Sequence, residues 1–217
     1  MDELKFTKKP GAKEKRYEHI IDAAQSILVQ KGYDNATFGD IAKAANYNKR
    51  TLYIYFSGKD DIFAAVVLRI LTKLDNHLRK NINNTGNGFD TLINLTSAYF
   101  SFFFINKKFY NLLWSFEERY FLFGKNTHES PNINKTYHTR RKNVQLIADT
   151  YQRGLNDGSV KQSDNPQLII SLLWSQTLGV LQLVSRGEYM LTKDYKIKAQ
   201  DIFDKHIEYL ENTLRNT

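Results

Sequence analysis

From Arg16 onward the apolar residues recur three and four positions apart, the spacing that lines up side chains on one face of an α-helix. Ile20, Ala24, Ile27 and Leu28 form the first stripe, and Gly32 follows Lys31 as a suitable C-terminal breaker. Thr37 is placed to cap a second helix through Ile41 and Ala44, and a third, short helix is expected from about Asn48 to Tyr55. A fourth, capped by Ser57 or Gly58, carries Ile62, Phe63, Val66, Val67, Ile70 and Leu74 until the polar, glycine-bearing stretch Asn81 to Gly88 ends it. Five more are expected at Phe89 to Ile105, Lys107 to Phe123, Asn134 to Asn156, Pro166 to Arg186 and Asp194 to Leu214. Of the three prolines, Pro166 falls in a first turn, where its missing N–H costs nothing. The pattern predicts an all-α chain of about nine helices without internal repeats. A three-helix N-terminal module (16–60) follows a basic, disordered leader (1–15) and joins a larger helical region (61–217).

Composition narrows the function classes. A chain of 217 residues can bury a sizeable core. The absence of cysteine excludes disulfides, thiolate metal sites and cysteine catalysis. The start, MDELKFTKKPGAKEKR, is charged and lacks an apolar centre, so neither a signal peptide nor a membrane anchor is expected there. The richest apolar run, Tyr99 to Ile105, is far shorter than the about 18 residues a spanning helix needs, and a soluble, cytoplasmic protein is expected. A net charge of +8 favours an anionic partner, nucleic acid ahead of membrane, but the charge is spread along the chain, so position must carry more of the argument.

Position points to residues 37–56. Two short helices joined by AANYN, Ala44 to Asn48, resemble a helix-turn-helix, whose second helix lies in the major groove with its N-terminal residues at the base edges. The turn needs a residue that tolerates positive φ, and Asn46 is the best choice after glycine. Thr37, at a helix start, can offer its hydroxyl and nearby N–H groups to a phosphate. Lys49 and Arg50 occupy the first turn of the reading helix; Arg50 suits guanine O6 and N7, and Lys49 a phosphate or a looser base contact. Tyr53, three residues past Arg50, falls near the same face, and Tyr47, Asn48 and Thr51 complete the candidate contact set. The bland alternatives are a solvated helix end and an aromatic core.

The stretch IIDAAQSILVQKGYDNATFGDIAKAANYNKRTLYIYFSGKDDIF, from Ile20 to Phe63, resembles the TetR family of transcriptional regulators. Ala24, Gly32, Tyr33, Thr37, Ile41, Ala42, Ala45, Thr51, Leu52, Tyr53, Tyr55, Phe56, Lys59 and Ile62 fall at that family's pattern positions. The family's usual Gly-Val-Ser turn is Asn46-Tyr47-Asn48 here, with Asn48 able to cap as serine does. The resemblance implies that Tyr53 and Tyr55 touch the DNA backbone, that Lys59 clamps a phosphate, and that Leu52 and Phe56 are core. It also implies a homodimer, built through about 166–186 and 194–214, on a pseudo-palindromic double-stranded operator. Finally it implies an effector pocket in the larger region and repression relieved by a small apolar or aromatic effector.

Within Ala98 to Phe123 aromatic residues are dense, which suits either a core or such a pocket; Phe104, Trp114, Tyr120 and Trp174 are candidate liners, with Glu117, Arg119 or Gln176 as polar partners. The competing class is an enzyme, but the five histidines form no HExxH pattern, and the chain has no phosphate-binding glycine loop and no GxSxG elbow. No cofactor or metal is expected, with His128, Glu129 and His138 as the weak metal alternative. A DNA-binding regulator without a small effector, controlled by a partner protein, is the other alternative.

Overall fold

The computed structural model describes residues 11–82, 86–122, 130–163 and 165–216. Nine α-helices occur among them: α1 (Ala12–Asn35), α2 (Phe38–Ala44), α3 (Lys49–Tyr53), α4 (Lys59–Lys80), α5 (Gly88–Ile105), α6 (Lys107–Glu117), α7 (Pro131–Asn156), α8 (Pro166–Arg186) and α9 (Ala199–Leu214). π-helical turns occupy Glu118–Leu122 and Met190–Asp194. No strand forms among the described residues; one isolated bridge pairs Val160 with Arg215. The all-α expectation holds, with shifted boundaries; α6 gives way to a π-helical turn after Glu117 and α7 begins at Pro131 rather than Asn134. Residues 12–15, read as leader, form the first turn of α1. Gly32 does break the helix, at φ 73, but one more turn runs on to Asn35. The last helix begins at Ala199 rather than Asp194, because Lys196 adopts φ 57, which no helix accommodates. The first ten residues lie outside the described chain, as do His128 and Glu129 of the metal alternative.

The chain divides into two compact units: residues 1–67 with 115–134, and residues 68–114 with 135–217. The first is built on α1 to α3. Ile20, Ala24 and Leu28 of α1, Ile41 and Ala42 of α2, and Leu52 of α3 are all buried, with Ala45 closing the corner. Phe56 fills the remaining side, stacked on Tyr17 at 5.0 Å, and Phe63 meets Phe116 edge-on at 5.3 Å. Leu52 and Phe56 are thus core, as expected.

In the second unit, Phe89, Leu92, Tyr151, Leu155, Ile170 and Leu210 form one apolar cluster. The dense aromatic stretch largely serves this core: Phe100 stacks on Phe203 at 4.1 Å, and Tyr110 meets Phe103 edge-on while its hydroxyl donates to the Leu178 carbonyl at 3.0 Å. His206 of α9 is buried beside Thr177 of α8, with Nε2 and Oγ1 3.4 Å apart. Burial pushes its pKa below the ordinary 6.5, so the ring is neutral in the fold. The unfolded chain takes up that proton near 6.5, so the stability the neutral ring confers is full above this pH and is lost as pH falls below it. The melting temperature is expected to decline as pH drops from about 6.5 towards 5, and His206→Gln should flatten that decline in a melting series across pH.

Candidate nucleic-acid interface

Local hydrogen bonding fixes the start of α3. The α2 end is a Schellman motif: Tyr47 N–H donates to Ala42 O at 2.9 Å, and Asn46 N–H to Lys43 O at 3.1 Å. Asn46 supplies the required positive φ, 56°. Asn48 then caps α3, its Oδ1 accepting from Thr51 N at 2.8 Å and from the Thr51 hydroxyl at 3.0 Å. With the helix end tied in this way, Lys49 and Arg50 stand exposed on its first turn. Lys49 lies back over α2, its Cε 3.0 Å from where a Cβ on Gly39 would be. Tyr53 is 60% exposed, yet its ring is held by Phe38 at 4.6 Å, which gives a fixed aromatic edge beside the two cations. Tyr47 and Tyr55 are half-buried, and the Tyr47 ring stands edge-on to His19 at 5.9 Å.

The capping arrangement limits what three of the candidates can offer. Thr37 and Asp40 form a reciprocal capping box: the Thr37 amide and hydroxyl both donate to Asp40 Oδ2, at 2.9 and 2.8 Å, and Thr37 Oγ1 accepts from Asp40 N at 3.0 Å. The hydroxyl proton expected to meet a phosphate is therefore already engaged. Lys31 at 2.9 Å, together with Thr37, holds the Asp40 carboxyl down to about 2, so this cap stays charged over the working pH range. Asn48 and Thr51 are likewise committed to each other, which makes them shapers of the helix start before they are DNA contacts.

Lys59, expected to clamp a phosphate, is also tethered internally: Nζ donates to the Tyr33 and Ala36 carbonyls, at 2.8 and 2.9 Å, and sits 4.1 Å from the Tyr33 ring centre. Two of its three donors thus satisfy the carbonyls left at the end of α1. Lys59→Met, which keeps the stem and removes the donors, is expected to lower stability by about 1–2 kcal/mol in urea denaturation, with little change in the salt dependence of DNA binding.

Sequence reading missed the neighbours of this tether. Arg119 reaches Asp34 at 2.6 Å and lies 4.0 Å from the Tyr33 ring centre, while the Tyr33 hydroxyl donates to Asp60. Burial first, and the Asp60 bond second, push Tyr33 up to about 12. Asp61, buried, accepts from Ser130 Oγ at 2.6 Å, Asn132 Nδ2 at 2.9 Å and Ser57 N–H at 3.0 Å. Arg119, Ser130 and Asn132 thereby brace the body that carries α3. Pairings this distant in sequence leave no local pattern.

Of the candidate pocket residues, Trp174 lines a cavity in the second unit, with Thr96 and Tyr99 of α5, Leu173 and Thr177 of α8 and Leu210 of α9 among the walls. The cavity is narrow, about 20 Å³, room for a water or so. The other candidates lie elsewhere. Phe104 packs along Phe100, Trp114 stacks over Tyr110, Gln176 is exposed, and Glu117 and Tyr120 belong to the first unit, where Tyr120 packs on Phe116. On the outer side of α8, Leu168, Leu172 and Leu183 are 54, 50 and 37% exposed. With Ser175 and Gly179 they form one stripe at helical spacing. By length and composition alone α8 could cross a membrane, which the shorter run singled out from sequence could not.

Residues 20–66 match the family model for bacterial regulatory proteins of the tetR family. The biofilm operon icaADBC HTH-type negative transcriptional regulator IcaR of Staphylococcus aureus (strain Newman) is 36% identical over 75 residues, which is 35% of this chain. The match spans 40% of the IcaR length. Solved structures resemble the chain over most of its length. FadR from Bacillus subtilis in complex with stearoyl-CoA has a TM-score of 0.68 at 18% identity, covering 89% of this chain and 97% of that one. A regulator from Saccharomonospora viridis in complex with choline has a TM-score of 0.69 at 16% identity, covering 94% and 99%. At these identities the structural likeness speaks for the fold, and the N-terminal match for descent. Residues 20–66 thus carry a domain of the tetR family of bacterial regulatory proteins.

Proposed function

We propose that the protein is a sequence-specific DNA-binding transcriptional regulator of the cytoplasm, working as a homodimer on a pseudo-palindromic operator and acting as a repressor. The observation that carries this reading is the exposed Lys49–Arg50 pair on the first turn of a helix whose entry is fixed by the Asn46 turn and the Asn48 cap. Arg50 reads a base edge, Lys49 and the held Tyr53 engage the backbone, and Tyr47 and Tyr55 flank them. Thr37, Asn48, Thr51 and Lys59 hold the geometry. That IcaR is a negative transcriptional regulator supports repression.

One short helix reads few base pairs, so specificity needs a second copy. The apolar stripe on α8 suits that copy: Gly179 has open space beyond its Cα, which lets a second helix approach closely. Residues 1–15 are proposed as a basic leader, 16–60 as the DNA-binding domain and 61–217 as the effector and dimerisation domain. Release by a small effector is supported by the ligands in the FadR and Saccharomonospora structures. The tightness of the cavity favours, as a second reading, control by a partner protein. Selection of duplexes from a random pool, followed by band shift, tests the proposal. Enrichment of an inverted repeat bound by two copies is the expected outcome, and binding with equal affinity to every duplex would sink it.

A further inference from the structure

An imidazole from α1 straddles the turn between α2 and α3. His19 Nε2 lies 3.0 Å from the Ala45 carbonyl oxygen, and the His19 ring meets the Tyr47 ring at 90° with centres 5.9 Å apart. One side chain thus touches the residue on each side of Asn46, whose positive φ turns the chain. A carbonyl only accepts, so Nε2 carries the proton and donates. The Ala42 and Lys43 carbonyls at the end of α2 are taken by the Tyr47 and Asn46 amides, but no backbone donor among the described residues reaches the Ala45 oxygen. Helix ends leave such carbonyls open, and His19 closes this one from 26 positions away. Tyr47 is left with a half-buried ring and, among the described residues, no bond to its hydroxyl. Its neighbours Asn46, Asn48, Lys49 and Arg50 are all exposed, so Tyr47 belongs to the same outward corner as the two cations.

We propose that His19 is a positioning residue for DNA binding: it fixes the Tyr47 ring so that the free hydroxyl donates to a phosphate oxygen beside the bases read by α3. A tyrosine free to change rotamer loses that freedom when it binds; an imidazole set edge-on to its ring takes the loss before DNA arrives. The directional bond to Ala45 orients the imidazole in turn. A hydroxyl on a phosphate carries no base information, so the pair adds affinity without changing sequence choice. His19, Ala45 and Tyr47 all lie in the first unit, and the arrangement needs nothing from the second. The proposal deepens the regulator reading by adding a backbone contact and its support, and it rests on that reading for the phosphate.

The test is a double-mutant cycle on the full chain, with affinity for the selected duplex and its single-base variants read by fluorescence anisotropy. Tyr47→Phe is expected to weaken binding to all the duplexes alike, by about tenfold. His19→Leu should weaken it to a similar degree in the parent chain, yet by less than about twofold in the Tyr47→Phe chain, because its effect passes through the hydroxyl. His19→Gln, which keeps a donor for Ala45 and loses the ring, should recover the melting temperature and bind only about threefold more weakly than the parent. If His19→Leu does not fold, His19→Gln takes its place in the cycle. A second arm needs no DNA: in the free chain, the ring proton signals that vanish in Tyr47→Phe should shift when the imidazole is removed by His19→Leu or His19→Gln. Losses that simply add, parent-like binding by Tyr47→Phe, or unmoved Tyr47 signals would overturn the proposal. A parent chain that binds specific duplexes while the losses add sinks this inference alone, whereas a parent chain that binds no specific duplex sinks the regulator reading and the phosphate contact with it.

Discussion

Gly88→Ala is expected to unfold the second unit at temperatures where the parent chain is intact. A Cβ at Gly88 would lie 2.1 Å from Gly154 N, 2.3 Å from Gly154 Cα and 2.7 Å from Arg153 C, all backbone atoms of α7. No side-chain rotation relieves such a clash, so α5 and α7 must separate at their crossing. The attachments lost with that separation are numerous. Gly88 N–H donates to Asp157 at 2.6 Å, Phe89 N–H to Ser159 Oγ at 2.9 Å, and Arg153 reaches the Gly86 carbonyl and Thr91 Oγ1 at 2.7 and 2.6 Å. Overpacking costs about 1–3 kcal/mol when side chains can adjust; with backbone on both sides the loss should reach or exceed about 3 kcal/mol, a large share of a domain's stability. Thermal melting followed by far-ultraviolet circular dichroism measures it, and an unchanged midpoint would refute the close crossing.

The second large effect belongs to the DNA-binding unit. Asp61→Ala leaves Ser130 Oγ, Asn132 Nδ2 and Ser57 N–H without their acceptor in a buried position. Each bond to a charged acceptor contributes about 1.5–3 kcal/mol, and the orphaned donors add their own desolvation cost. A loss of roughly 3 kcal/mol or more is expected, reported by urea denaturation. Asp61→Asn should recover only part of it. Its single oxygen can serve Ser130 and Asn132, but its amide nitrogen then faces the Ser57 N–H, donor against donor. Full recovery by asparagine would mean that Asp61 is not the shared acceptor described above.

What could be read beforehand, and what could not, divides by range. Helix positions were legible because burial imposes a period, and the turn was legible because Asn46 tolerates positive φ and Asn48 can cap; both act within four residues. The Lys59 tether was not legible, because a lysine at a helix start shows no internal partner until the end of α1 presents two open carbonyls to it. Arg119 on Asp34 and Ser130 on Asp61 join residues far apart in sequence, and no spacing rule anticipates them. Among the aromatic candidates for the pocket, Trp174 alone lines the cavity, since ring density does not say which rings fill the core and which border a space. His206 drew no attention in the sequence, because its burial depends on the pairing of α8 with α9.

The central claim is that the first turn of α3 reads bases. Its most direct measurement compares the parent chain, Arg50→Ala and Lys49→Ala on the selected duplex and on its single-base variants, at several salt concentrations. Arg50→Ala should weaken binding by about 1–3 kcal/mol and lose discrimination at one base pair in each half-site. Lys49→Ala should weaken binding to all the duplexes about equally and reduce the salt slope by about 1 for each bound chain. If Arg50→Ala keeps the parent's base preference at every position, the reading face lies elsewhere and the account is contradicted.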